Sequence, residues 1–178
     1  MNPAARQYIL ALGSNLGDRS HHLAEGIRKI GQSEGCRVTA ISIAYDTDPV
    51  GFKEQGNFLN ICLSLVSELE PLALLSLALA IEASQGRVRG IQDGPRTLDI
   101  DLLFYEGGEV HRPELTLPHP RWKGRGFVVI PLRNLLQSPI LANDPIWNWL
   151  RDEVATLPMD GSGLRPWQGP TPWNHPTP

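Results

Sequence analysis

Asp99 and Asp101 stand in an otherwise apolar run, 97-TLDIDLLFY-105. Arg87, Arg89 and Arg96 lie just upstream, and His119, Arg121, Lys123 and Arg125 follow downstream. An extended strand alternates its side chains, so the two carboxylates share one face, roughly 6.5–7 Å apart, while Leu98, Ile100 and Leu102 point the other way. Like charges at that spacing repel unless something positive lies between or above them. Two hard carboxylates flanked by guanidinium clusters suit a polyphosphate with Mg²⁺: the carboxylates hold the metal, the metal bridges phosphate oxygens, and the arginines neutralise the remaining charge. The simpler alternative is an edge strand with a solvated acidic face, and any one of these arginines taken singly is better read as a surface charge. Two basic loops converging on one D-x-D strand weaken that alternative.

The chain that must position these groups has 178 residues, 41% hydrophobic and 20% charged, with a formal net charge of -3. This is ordinary globular composition with enough chain for one domain and a sizeable core. It gives no bulk positive charge to drive nucleic-acid binding. Cys36 and Cys62 lie in apolar segments without metal-type spacing and read as reduced thiols of a cytoplasmic protein. No stretch approaches 18 uninterrupted apolar residues, and the start lacks the form of a secretion signal, so neither membrane nor export is expected.

Residues 8–12 (YILAL) predict a strand that ends in the turn chemistry of GSNLGD, 13–18. Leu23, Ile27 and Ile30 then predict an amphipathic helix to about Ser33. Two further strands are expected at 38–45 and 57–66, the second with Phe58, Asn60, Cys62 and Ser64 on one face. Pro71 opens a long helix stopped by Gly86. After the aspartate strand, 127–130 (FVVI) reads as a short strand, and a last helix is expected between Pro145 and Leu157. The order β-α-β-β-α-β predicts a ferredoxin-like α+β sandwich with helices on one sheet face. Long loops, Asp99, Asp101, Phe58 and Asn60 are then left on the open face.

GSNLGD lacks the lysine and spacing of a Walker loop and reads as a flexible turn. The paired His21 and His22 read as exposed. Phe58 and Phe127 are, from the residues alone, more readily core than ligand contacts. Residues 1–157 form the expected catalytic domain. The segment 158–178 has six prolines and three glycines in 21 residues. No regular helix or strand is expected through it, and Trp167 and Trp173 leave docking open beside disorder.

Together, 8-YILALGSNLGD-18, GRVR at 86–89, 94-GPRTLDIDLLF-104 and 117-LPHPRWKGRGFVVIPL-132 resemble the 6-hydroxymethyl-7,8-dihydropterin pyrophosphokinase family of folate biosynthesis, over roughly residues 8 to 157. The resemblance implies transfer of pyrophosphate from ATP to the pterin hydroxymethyl group, giving AMP. It implies that Asp99 and Asp101 ligate two Mg²⁺ ions and that Arg87 and Arg96 act on the transferring phosphates. Phe58 and Phe127 would sandwich the pterin, Asn60 would bond its edge, and Thr47 and Val50 would assist. Glu82, Arg89, Thr116, His119 and Arg125 would lie along the nucleotide. Where relatives often carry a tryptophan beside the arginine loop, this chain has Asp93. Association with neighbouring folate-pathway enzymes fits the resemblance without being decided by it. The alternatives are a D-x-D transferase of another substrate class and a ferredoxin-like nucleotide-binding module. The first needs a nucleotide-sugar pocket, and the second must bear two adjacent carboxylates with no metal to hold.

Overall fold

The computed structural model describes residues 4–87, 94–158, 161 and 163–173. Strand β1 (Arg6–Ser14) runs into the turn at 15–18, where the Asp18 carboxylate caps helix α1 (Arg19–Gln32) by accepting the His21 N–H at 3.0 Å. The chain continues through β2 (Cys36–Ile41), β3 (Tyr45–Thr47), β4 (Phe58–Ser67), α2 (Pro71–Ser84) and β5 (Asp99–Tyr105). Then come the hairpin β6 (Val110–His111) and β7 (Thr116–Leu117), α3 (Gly126–Leu136), a 3₁₀ turn at Pro145–Trp147, α4 (Asn148–Thr156) and β8 (Leu164–Pro166).

The main sheet has the order β5-β1-β4-β3-β8, with β2 also on β4. β1 is antiparallel to β4 and β5, which is the expected split arrangement with one edge strand divided. Helices α1 and α2 cover one face through Leu23, Ile27, Ile30, Leu74, Ala78 and Ile81, packed on Tyr8, Leu10, Leu12, Ile100 and Leu102. Alternation along β5 therefore puts Ile100 and Leu102 in this core and leaves Asp99 and Asp101 on the opposite face. Among the described residues no helix is long and apolar enough to cross a membrane.

Three expectations need correction. Residues 127–130 are not a strand but part of α3. Val128, Val129, Leu132, Leu135 and Leu136 are buried at helical spacing, so packing overrides the β-branched composition of FVVI. The second sheet face is accordingly not fully open. α3 and α4 bury Val128, Val129, Leu132, Leu150 and Val154 against Ile9, Cys62, Leu103 and Phe104, and a cleft remains in the part of that face beside Asp99 and Asp101. The expected strand at 38–45 breaks after Ile41. Ser42 bonds Cys62 twice, its N–H donating to the Cys62 carbonyl at 2.8 Å and its hydroxyl accepting the Cys62 N–H at 2.9 Å. Its side chain thus takes the ladder's place, and the chain re-enters the sheet as β3.

The C-terminal segment also contains a strand that its proline content argued against. The three residues of β8 pair with β3, with Pro166 on the sheet edge, where a missing N–H is tolerated. Both Cys36 and Cys62 are free thiols, and burial pushes both upward in pKa.

Candidate active site

One cleft lies where β1, β4, β5 and the start of α3 leave the second sheet face uncovered. Its lining includes Gly13, Thr47, Asp48, Val50, Phe58, Asn60, Arg96, Asp99, Asp101, Arg125 and Phe127. Each residue arrives by a simple device. Phe58 and Asn60 are i and i+2 on β4, and Asp99 and Asp101 are i and i+2 on β5. β1 runs between these strands and presents Gly13, paired with Asn60 on one side and Asp99 on the other. A Cβ at Gly13 would stand 2.7 Å from Asn60 Oδ1, so glycine is what leaves room for that amide. Asn60 is nearly buried and donates from Nδ2 to Thr47 Oγ1 at 2.7 Å, which fixes its amide.

The charged half is balanced internally. Arg87 donates to Asp99 Oδ1 at 2.6 Å, Arg96 to Asp99 Oδ2 at 2.8 Å and Arg125 to Asp101 Oδ2 at 3.1 Å. Arg96 also lies over the Phe58 ring at 5.8 Å, and Arg125 over Phe127 at 5.6 Å. The same two guanidiniums therefore border both the carboxylates and the aromatic walls. Burial and the Asp99 charge push the Asp101 carboxyl upward, against the pull of His119 and Arg125. Burial lowers His119 despite the Asp101 charge beside it. The Arg121 N–H donates to His119 Nδ1 at 3.1 Å, so the neutral ring carries its proton on Nε2. Among the described residues no group of three or more His, Cys, Asp or Glu side chains gathers as a metal site.

Of the residues anticipated from sequence, Thr47, Val50, Phe58, Asn60, Arg96, Asp99, Asp101, Arg125 and Phe127 share this cleft. Arg87 reaches Asp99 from beyond the lining, and His119 acts electrostatically on Asp101. Glu82 and Thr116 do not line it. Glu82 is 3% exposed under β5, where it accepts the Ile100 N–H at 2.7 Å and pairs with Arg87, and Thr116 is exposed on β7. Arg89 and Asp93 lie outside the described residues.

Asn15, read only as part of a flexible turn, is a buried tie. Its Oδ1 accepts the Arg96 N–H at 2.8 Å, and its Nδ2 donates to Gln55 Oε1 at 2.9 Å and to the Gly56 carbonyl at 3.1 Å. The available signal was an asparagine between glycines, a residue suited to bonding neighbouring backbone. His22, expected to be exposed, is half-buried and bonds Gln85 at 2.9 Å.

A carboxylate pair bonded to guanidiniums opens into a slot walled by two phenylalanines and an oriented amide, an arrangement whose chemistry suits a phosphorylated ligand beside a flat, polar-edged ring. The family model for 7,8-dihydro-6-hydroxymethylpterin-pyrophosphokinase (HPPK) matches residues 9–137, and the chain belongs to that family. A pyrophosphokinase of Bacillus subtilis, named for 2-amino-4-hydroxy-6-hydroxymethyldihydropteridine, is 35% identical over 89% of both chains. Its Methylorubrum extorquens namesake is 39% identical over 87% of this chain and 94% of its own. The fold is also that of a Plasmodium falciparum HPPK-DHPS crystal structure with pteroate, at a TM-score of 0.62 and 12% identity. The alignment covers 91% of this chain but 46% of that one.

Proposed function

We propose that this chain transfers the terminal pyrophosphoryl group of ATP to the hydroxymethyl oxygen of 6-hydroxymethyl-7,8-dihydropterin, releasing AMP. The observation that carries the reading is that one cleft joins the aromatic-and-amide slot of Phe58, Asn60 and Phe127 to Asp99, Asp101, Arg96 and Arg125. A pterin presents two flat faces and an edge of alternating donors and acceptors. Phenyl rings and a fixed carboxamide meet both needs.

In the reaction the hydroxymethyl oxygen bonds to the β-phosphorus, the bond from that phosphorus to the oxygen bridging the α-phosphate breaks, and the hydroxyl proton is released. Such transfers depend on in-line placement and charge neutralisation more than on a strong base. The donor set fits Mg²⁺, a hard cation that takes one or two carboxylates and completes its shell with water and phosphate oxygens. Bound by Asp99 and Asp101, two such ions would neutralise phosphate charge and polarise the reacting phosphorus. Arg87 and Arg96 supply fixed forks for oxygens that gain charge during transfer, and Arg125 and His119 border the same charged end.

Relatives named bifunctional support work beside other enzymes of folate synthesis. This chain matches 41% of a Lactococcus lactis bifunctional protein FolKE and 26% of an Arabidopsis thaliana folate synthesis bifunctional protein. The test of the activity is product analysis with Mg²⁺ present. AMP should form from ATP only when hydroxymethyl-dihydropterin is added, and AMP formed equally without it would refute the assignment.

A further inference from the structure

Thr47 and Asp48 line the ring end of the cleft from the end of β3, a strand of three residues. One edge of β3 is paired with β4, and the other is covered by β8. The pairing sets Tyr45 opposite Pro166, Asp46 opposite Arg165 and Thr47 opposite Leu164. It extends at both ends, with the Asp48 N–H donating to the Gly163 carbonyl at 2.9 Å and the Trp167 N–H to the Ala44 carbonyl at 2.8 Å.

Side chains reinforce this ladder. Arg165 donates to Asp46 Oδ1 and to Asp48 Oδ1, both at 2.8 Å. Arg19 holds the other Asp46 oxygen and the Asn57 carbonyl, both at 2.9 Å, while lying 5.0 Å from the Trp167 ring centre. Trp167 and Trp173 pack against the core under α1 and α2. No residue of this segment lines the cleft, so its connection to the cleft runs through β3.

We infer that residues 163–173 form a strap that positions the ring-binding loop through Thr47 and Asp48, with Gly163 and Arg165 as positioning residues; this rests on the pterin reading of the cleft. The strap lies beyond residues 9–137, the part matched by the family model. The loop needs such a brace. Val50 is 64% exposed, and the stretch after Asp48 carries no apolar stripe to hold it down. When only part of the population holds a binding-competent loop, apparent affinity falls by that fraction. Exposed ion pairs are individually weak, so the ladder and the tryptophan carry most of the hold and Arg165 adds to it. Gly163 is the sensitive point. Its φ is +71°, and an added Cβ would lie 2.8 Å from Asp48 Oδ2.

The test uses Gly163→Ala and Arg165→Ala in the full chain, followed by amide hydrogen exchange at Asp48 and by steady-state kinetics. Exchange at Asp48 should accelerate in both variants, more in Gly163→Ala. The KM for hydroxymethyl-dihydropterin should rise about threefold to tenfold, while the KM for ATP and kcat stay within about twofold. A purely structural loss would instead move all three constants together with the melting temperature, and that outcome overturns the inference. Unchanged Asp48 exchange in Arg165→Ala, the milder variant, overturns it as well. So does faster exchange with an unaltered pterin KM. If the wild-type chain makes no AMP, the catalytic reading fails on its own, and the exchange measurement still decides whether the strap holds the loop.

Discussion

Asn15 and Arg96 hold each other twice: the Arg96 N–H donates to Asn15 Oδ1 at 2.8 Å, and the Asn15 N–H donates to the Arg96 carbonyl at 3.1 Å. A residue of the first loop thereby sets the backbone of the arginine next to the aspartate strand, and its Nδ2 ties in the third party, Gln55 and Gly56. Asn15→Ala would leave the Arg96 N–H without its side-chain acceptor and free two loops at once. The expected cost is about 1–3 kcal/mol of stability, with a fall in turnover because Arg96 loses its fixed position. Thermal melting and kcat measured together check this. A variant with normal turnover would show that Arg96 is placed by other contacts.

The two aspartates should respond differently to neutralisation. Among the described residues Asp99 pairs with two guanidiniums and Asp101 with one, that of Arg125, and Asp101 is raised by burial and by the Asp99 charge. Asp101→Asn should therefore leave metal-free stability unchanged or increased, while Asp99→Asn lowers it by removing the carboxylate partner of Arg96 and leaving Arg87 with Glu82 alone among its described carboxylate partners. If the two hold Mg²⁺ as proposed, both variants should lose activity by on the order of a hundredfold or more, since several kcal/mol of charge stabilisation would go with the metal. Calorimetric melting without Mg²⁺, paired with AMP assays, separates the two effects. Equal melting temperatures for the two variants would contradict the pairing scheme.

Glu82 is a pin under the strand. Glu82→Ala removes the acceptor of the Ile100 N–H and one partner of Arg87 at a 3% exposed position. The expected loss is about 1–3 kcal/mol, the range for leaving the buried Ile100 N–H without its acceptor, since Arg87 keeps Asp99. Glu82→Gln keeps an acceptor and should lose less. A small change in melting temperature joined to a large loss of ATP affinity would instead make Glu82 a nucleotide contact.

These residues show how far periodicity carries and where it stops. Asp99, Asp101, Phe58 and Asn60 were legible as same-face sets because strand alternation is a local rule, and the βαββαβ order placed those faces on one side of the sheet. Helix α3 was not legible as a helix. Phe127–Ile130 carries strand-type side chains, and its helical register emerges only when Val128, Leu132 and Leu135 are seen packed on Cys62 and Phe104. β8 is three residues in a proline-rich stretch and has no signal of its own. It exists because β3 offers an edge. The assignment of Arg125, His119 and Phe127 to a ligand rested on the resemblance, since arginine-rich and aromatic positions read singly are ambiguous.

Asp46 predicts a pH dependence. Burial raises its carboxyl, but bonds from Arg165, Asn57 and Arg19 outweigh that and hold it below the usual carboxylate range. A depressed carboxyl contributes stability that is fully present above its unfolded value and is lost as pH falls through the folded one. The melting temperature of Asp46→Asn should therefore lie below that of the wild-type chain at pH 7, and the gap should close as pH drops below about 4. A gap that stays constant from pH 7 to pH 3 would mean that Asp46 acts through hydrogen bonding alone.

Gly13→Ala tests the ring slot from its floor. The new methyl would meet Asn60 Oδ1 at 2.7 Å, and that amide cannot simply swing aside because Nδ2 is held by Thr47 Oγ1 at 2.7 Å. Phe58 Cδ1, at 3.7 Å, closes the other direction to little more than van der Waals contact. The methyl must displace the carboxamide proposed to read the pterin edge, at an overpacking cost of about 1–3 kcal/mol. Because the strain falls on the ring slot and not on Asp99 or Asp101, the loss should appear in pterin recognition. The KM for hydroxymethyl-dihydropterin should rise roughly tenfold, with the KM for ATP little changed, since one misplaced hydrogen-bonding group costs about 1–1.5 kcal/mol. Adding Asn60→Ala on top of Gly13→Ala should then cost less than it does in the wild-type chain, because the amide is already out of register. Additive losses in that double-mutant cycle would show that Gly13 and Asn60 act on the ligand independently.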